Sequence, residues 1–340
     1  MGRSLFWKIV ILVGVLACAS LSLAQSQNAE LDLPTFHVET HLVLVDVIPE
    51  HSAQHTLALL TDLKRDDFRV FDNRKEVPVD TFDVGADHST RPIALWLIVQ
   101  CPEEYPPSWH SEFMRGDAHY LRPALAHLEP NDAVGVAHWC DDGIAAIDLA
   151  PGHDADGSIA AIEKLLNQKM THGENRSGEL AMEKMIEMIV DQAQRTTPQR
   201  LPVMVFLYGD HCGTLSWEAE KIIEDVLKTS GIVFGIGDGR WKFDPKELSG
   251  GGEVGYLVHY YAGETGGEFY MAPDPKTGYS GALDYILSQV HLRYTLGFKP
   301  PLLDGKHHKL RVELTKDAQG RYKNVQLRFR TEYVPVAPGH

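Results

Sequence analysis

Three short runs carry residue types that do chemistry. They are Gln100-Cys101-Pro102-Glu103-Glu104, His138-Trp139-Cys140-Asp141-Asp142 and Asp210-His211-Cys212. Each follows an apolar run that reads as a strand, so all three fall at strand ends. Histidine with cysteine suits a soft metal, and a four-ligand set would be His138, Cys140, His211 and Cys212. Asp210, His211 and Cys212 also supply a nucleophile and a base. Adjacent residues rarely point into one reaction centre, however. No Gly-x-Ser-x-Gly elbow surrounds them, and no tight ligand spacing supports zinc. The runs therefore read as loop residues at a sheet edge. A metal-dependent hydrolase built on His138, Cys140, Asp210 and His211 is the alternative.

Other chemical patterns are weaker. The 17 histidines include His37/His41 and His51/His55, but these lie in extended sequence, and no helical His-Glu-x-x-His run occurs. Gly235-Ile236-Gly237-Asp238-Gly239 does not place a third glycine at the spacing of a dinucleotide fingerprint. Tyr105-Pro106-Pro107-Ser108-Trp109-His110 is different. Rigid prolines with Tyr and Trp suit a recognition surface, because such aromatics anchor many interfaces. The candidate partner-binding residues are Tyr105, Trp109, His110, Trp139, Asp141, Asp142 and His211.

The elements that must position these loops follow from periodicity. Ile93–Val99 is continuously apolar, the pattern of a strand buried on both faces of a parallel sheet. Pro102 stops it. Strands at Ala133–Trp139, Val203–Leu207, Ile232–Ile236 and Glu268–Met271 alternate with helices, which predicts an α/β fold with a mostly parallel sheet. Gly143–Leu149 reads as an antiparallel partner. Predicted helices lie at Ser111–Leu128, around Ile159–Leu166 and Leu180–Ile189, and at Trp217–Leu227, Val254–Tyr261 and Gly281–Val290. Ligands of such sheets bind beyond the carboxyl ends of the strands.

The flanks read differently. His41–Val47, Leu60–Phe71 and Val77–Phe82 suggest short strands. His308–Leu314 and Asn324–Arg330 alternate, and Thr315–Tyr322 reads as a hairpin loop between them. Lys306, Lys309, Arg311, Lys323, Arg328 and Arg330 read as the wet face of that sheet. The expected organisation is a signal peptide at residues 1–24, an N-terminal β segment at 35–90, an α/β domain at 91–291, and a closing β segment at 292–335. The two β segments would pair into one small sandwich-like domain.

Composition limits the rest. A net charge of -15 with 32 basic and 47 acidic residues argues against nucleic-acid binding through bulk electrostatics. Arg3 and Lys8, the apolar run Ile9–Ala17 and the small residues Ser22-Leu23-Ala24 form a cleaved-secretory-signal pattern. An uncleaved anchor, or lipidation at Cys18, is the alternative. Export permits disulfides. Cys101, Cys140 and Cys212 would remain, giving either one bridge plus a free thiol or three buried thiols.

Four ordered stretches carry a resemblance. They are Phe36–Val47, Leu63–Asp72, Tyr261-Ala-Gly-Glu-Thr-Gly-Gly-Glu-Phe-Tyr270, and Leu292–Phe298 with Asp304-Gly-Lys-His-His-Lys309. Together they resemble the secreted VWFA-related proteins of Acidobacteria, in which a von Willebrand factor A (vWA) domain is flanked by β segments. The resemblance implies a vWA fold, Rossmann-like with helices on both faces of the sheet. It also implies a place for a metal-ion-dependent adhesion site, where oxygens of an Asp-x-Ser-x-Ser run, a Thr and a further Asp hold magnesium. Here the first run reads Gln100, Pro102 and Glu104, Gly178 stands near the Thr position, and Asp210 alone keeps its type. The site is therefore expected to be degenerate, with no metal and no cofactor. The expected function is a non-enzymatic, exported binding or scaffold protein with a protein ligand. A structural part of an envelope assembly, acting through edge strands, is a further alternative.

Overall fold

The computed structural model describes residues 42–51, 60–85, 91–101, 118–140, 143–167, 178–197, 199–208, 219–238, 256–272 and 278–335. The chain enters through β1 (Val43–His51), β2 (Phe68–Asp72), β3 (Lys75–Val77) and β4 (Thr81–Val84). The α/β part follows: β5 (Ile93–Gln100), a 3-10 turn Ala118–Leu121 running into α1 (Arg122–Leu125), β6 (Ala133–Trp139), β7 (Ala145–Gly152), α2 (Ala155–Leu166), α3 (Gly178–Thr196), β8 (Leu201–Tyr208), α4 (Ala219–Lys228), β9 (Ile232–Asp238), α5 (Tyr256–Thr265), β10 (Phe269–Ala272) and α6 (Gly278–His291). The chain closes with β11 (Tyr294–Phe298), β12 (His308–Leu314), α7 (Lys316–Arg321), β13 (Val325–Arg328) and β14 (Glu332–Tyr333).

β5 is central, as its composition requires. All eight of its residues are buried. The sheet order is β10-β9-β8-β5-β6-β7, parallel except for β7. Side chains alternate between two cores. Leu95, Leu97 and Val99 face one core with α1, α2 and α6. Trp96 and Ile98 face the other with α3, α4 and α5. This is a vWA-like, doubly wound fold. From β5 the chain builds outward to one side, and from β8 to the other. The switch point therefore lies between the ends of β5 and β8.

The chain ends make two antiparallel sheets, β13-β1-β11-β4 and β14-β12-β2-β3. Their apolar faces share a core of Val45, Val47, Phe68, Val70, Leu296, Leu310 and Val312, among others. Three expectations change here. The stretch Val77–Phe82 is not one strand: it divides around Pro78, with β3 in one sheet and β4 in the other. Thr315–Tyr322 is not a hairpin loop. The Thr315 side chain accepts from the Ala318 N–H and caps α7, and β12 and β13 lie in different sheets. The basic tail is not uniformly wet. Lys309 and Arg311 are exposed, but Arg330 is buried and donates to the Leu227 carbonyl at the end of α4 (3.0 Å) and to the Leu44 carbonyl (2.6 Å). Burial pushes the Arg330 guanidinium down to about 10. Arg328 turns inward to Glu50 (3.3 Å) and Glu268. Of the expected first helix, residues 111–117 lie outside the described residues and the remainder is the short turn and α1.

The stretches that carry the resemblance meet one another. Leu63 N–H donates to the Tyr294 hydroxyl (2.9 Å), and Phe68 packs on the Tyr294 ring at 5.3 Å. His308 sits between Asp72 (2.7 Å) and Asp304 (3.1 Å). Thr265-Gly266-Gly267 ends α5. Thr265 Oγ1 accepts from Val233 N–H (2.9 Å), and Gly267 N–H bonds back to the Ala262 carbonyl (2.9 Å), closing the helix end. Gly266 has φ +85° and abuts the Phe329 backbone, while a Cβ on Gly267 would stand 1.8 Å from the Val233 carbonyl oxygen. Gly267→Ala is therefore expected to destabilise by about 3 kcal/mol, at or above the usual range for overpacking. Gly263→Ala, on an exposed helix position with open space, should instead stabilise by roughly 0.5–1 kcal/mol. Urea denaturation of the two variants tests the contrast.

Candidate functional site

The carboxyl edge of the sheet is built by the ends of β5, β6 and β8. Among the described residues it presents Gln100, Cys101, His138, Trp139, Cys140, Gly143 and Ile144. Gln100 is buried. The backbone continues its pairing one residue further, Cys101 N–H to the Trp139 carbonyl at 2.9 Å. A tight return to β7 follows, with Gly143 N–H on the Cys140 carbonyl (3.1 Å), Cys140 N–H on the Ile144 carbonyl (2.9 Å) and Gly143 at φ +90°.

Adjacent parallel strands ending in register bring Cys101 and Cys140 together, and they form a disulfide with Cα atoms 4.9 Å apart. Of the two cysteine readings open in the sequence, the single bridge is the one present. Cys212 lies outside the described residues. His138, two residues before Cys140, lies beside the sulfurs, and its Nδ1 is 2.7 Å from Asp148 Oδ2 on β7. Sequence reasoning did not single out Asp148. The signal available for it was the antiparallel pairing of β7 with β6, in which His138 faces Ala146, two residues away on the same face.

One candidate changes role. Trp139 is 1% exposed and packs in the core with Trp96, Met182 and Met185 under α3. Period-2 alternation places it opposite His138, so its ring offers no recognition surface. Gly178 is the first residue of α3. Pro102, Glu104, Tyr105, Trp109, His110, Asp141, Asp142, Asp210 and His211 lie outside the described residues. The four-residue soft-metal set is only half within them, as His138 and Cys140, with the Cys140 sulfur bonded to Cys101.

Magnesium takes near-octahedral oxygen ligands and prefers carboxylates. The described part of this edge offers one neutral amide, two disulfide sulfurs, an imidazole and the single carboxylate of Asp148, which by themselves are not a magnesium donor set; Glu103, Glu104, Asp141, Asp142 and Asp210 lie outside the described residues. Gly235 and Gly237 are likewise explained without a nucleotide, because a Cβ at either would strike the Phe269 ring at 2.5–2.6 Å. No helix among the described residues is long and apolar enough to cross a membrane.

No protein-family model matches the chain, and no curated protein matches it. Similar solved structures include a von Willebrand factor type A protein from Catenulispora acidiphila, 11% identical, with TM-score 0.42, covering 89% of this chain and 76% of that one. A serine-substituted aerotolerance-related membrane protein from Bacteroides fragilis is 12% identical, with TM-score 0.39, covering 58% of this chain and 99% of that one. BatB from Bacteroides thetaiotaomicron is 12% identical, with TM-score 0.40, covering 58% and 98%. The vWA-like assignment stands on strand order, strand direction and the helices on both faces.

Proposed function

We propose that this chain, a vWA-like domain carried on a β domain, is an exported, non-enzymatic binding or scaffold protein whose protein ligand docks on the loops at the carboxyl edge of the six-stranded sheet. The observation that carries the reading is the edge itself. The position where doubly wound sheets bind ligands is retained between β5 and β8, yet Gln100 stands where a hard-ion ligand would be needed, with the Cys101–Cys140 bridge beside it. The docking segments of this reading are residues 100–110, 139–143, 173–178 and 210–214. A disulfide fits an oxidising compartment, which agrees with the signal-like N-terminus.

The test uses the immobilised chain and a native envelope extract, with and without chelator. A specific protein retained by the parent, lost by Trp109→Ala/His110→Ala and by Asp141→Ala/Asp142→Ala, and indifferent to chelator supports the reading. Retention by both loop variants would shift it to an envelope assembly held through the β domain. Loss on chelation would reject the metal-free edge.

A further inference from the structure

We propose that Cys101, His138 and Cys140 are a reduction-gated zinc site at the ends of β5 and β6. One ring nitrogen of His138 and both Sγ atoms lie within 4.8 Å of one another. These are zinc ligand types, and two thiolates with an imidazole select a thiophilic cation over magnesium or calcium. A structural disulfide needs neither the imidazole nor a carboxylate behind it. Here Asp148 holds Nδ1 of His138 at 2.7 Å, which fixes the ring beside the sulfurs. A carboxylate behind the imidazole is the usual support of a metal-ligating histidine. The site is also sheltered. Cys101 and Cys140 are 5% and 4% exposed and the His138 side chain 12%.

In the oxidised chain the sulfurs are bonded to each other and hold no metal, so the edge stays metal-free. Reduction breaks the S–S bond. A dithiol supplies two electrons and two protons and is itself oxidised to a disulfide, leaving two thiols. The freed sulfurs can then separate to the roughly 3.8 Å that zinc–sulfur bonds of about 2.3 Å require in a tetrahedron. Zinc binding displaces the two thiol protons to solvent. Neutral His138 provides the third ligand, and a water completes the four. The site would then report the redox state of its compartment by exchanging a covalent clamp for a metal clamp at the same two strand ends.

The experiment uses the full chain with Cys18→Ser and Cys212→Ser, so that no other thiol takes part. The protein is reduced with a dithiol, freed of it under argon, and titrated with zinc and separately with cobalt. The reduced parent is expected to take up one zinc per chain and to show thiolate-to-cobalt charge-transfer absorption, while the oxidised parent does neither. Asp148→Asn should weaken zinc 10–100-fold and His138→Gln at least as much. Both variants keep the bridge, so unchanged melting of their oxidised forms confirms that the fold is intact. Any of three results overturns the proposal. These are substoichiometric zinc in the reduced parent, equal affinity in His138→Gln, or a reduced chain whose lost far-ultraviolet dichroism zinc does not restore.

Discussion

Arg293→Met is expected to destabilise the protein by about 3–5 kcal/mol, the cost of leaving a buried charge without its partner. Arg293 is fully buried. Its Nε donates to Asp46 Oδ1 (2.9 Å), and its other nitrogens donate to the carbonyls of Val290 and Arg91. One side chain thus ties β1 to the end of α6 and to the entry of β5. Thr295 donates to the same Asp46 oxygen (2.7 Å), and Arg91 approaches the other (3.4 Å). Burial alone would push the Asp46 carboxyl up, but Arg293, Arg91 and Thr295 hold it below its usual range. A carboxyl depressed in the folded state stabilises above its unfolded value, near 3.9, and that stability is lost as pH falls through the folded value. Asp132 is depressed similarly. Burial works against it, while His291 and the N–H groups of Ile93 and Glu129 prevail. The parent should therefore lose stability on acidification below about pH 4. Arg293→Met should lose less, because Asp46 is then better protonated. Urea midpoints from pH 3 to 7 test both points. A deficit that stayed constant across that range would show that packing, not the buried charge, dominates.

Opening the Cys101–Cys140 bridge by Cys101→Ser/Cys140→Ser is expected to cost about 4 kcal/mol, from the chain entropy of a loop of about 40 residues. The sequence separation is 39, and the loop contains the turn over Ala118–Leu121, α1 and the whole of β6. On the proposed metal-free reading of this edge, the loss should be the same in the presence and absence of magnesium. Thermal unfolding with and without a reductant gives a second route to the same number. If reduction of the parent and the double substitution differ widely in effect, the thiols themselves contribute at that edge.

Much of the fold was legible because it is written in local patterns. Ile93–Val99 could be placed at the sheet centre because no side of it tolerates water. The inward face of β12 could be read because Leu310, Val312 and Leu314 alternate with polar residues. The hairpin over Thr315–Tyr322 went wrong although its signal was present: a threonine three residues before Ala318, with Asp317 in the first turn, is an N-cap pattern. Arg328 and Arg330 failed for another reason. Alternation shows which side chains leave the inner face of a sheet, but not that the outer face packs on α4 and α6. The site was less legible than the fold. Trp139 looked like an anchor because it stands beside polar residues, and only the register showed it facing the core. The Cys101–Cys140 pairing depended on two strands ending side by side, and Asp148 on a third strand running back along them. Connectivity between distant segments has no local signature.

The strand β1 pairs along its first half with β11, as Val43 with Phe298, and along its second half with β13, as His51 with Val325. Among the described residues, β1 therefore has no neighbours in its sheet until residues 294–328 have been made. Closing such a distance through an unstructured chain is slow, because the entropy of the whole loop is lost before any contact rewards it. The intervening α/β domain shortens the search. Once folded, it holds the entry to β5 beside the exit from α6, where Asp132 bonds both Ile93 N–H (2.9 Å) and His291 (2.8 Å). Folded first, the α/β part would bring the two flanking β segments to each other. During synthesis, the β part would be the last to acquire structure, and its strands the part most in need of protection until then.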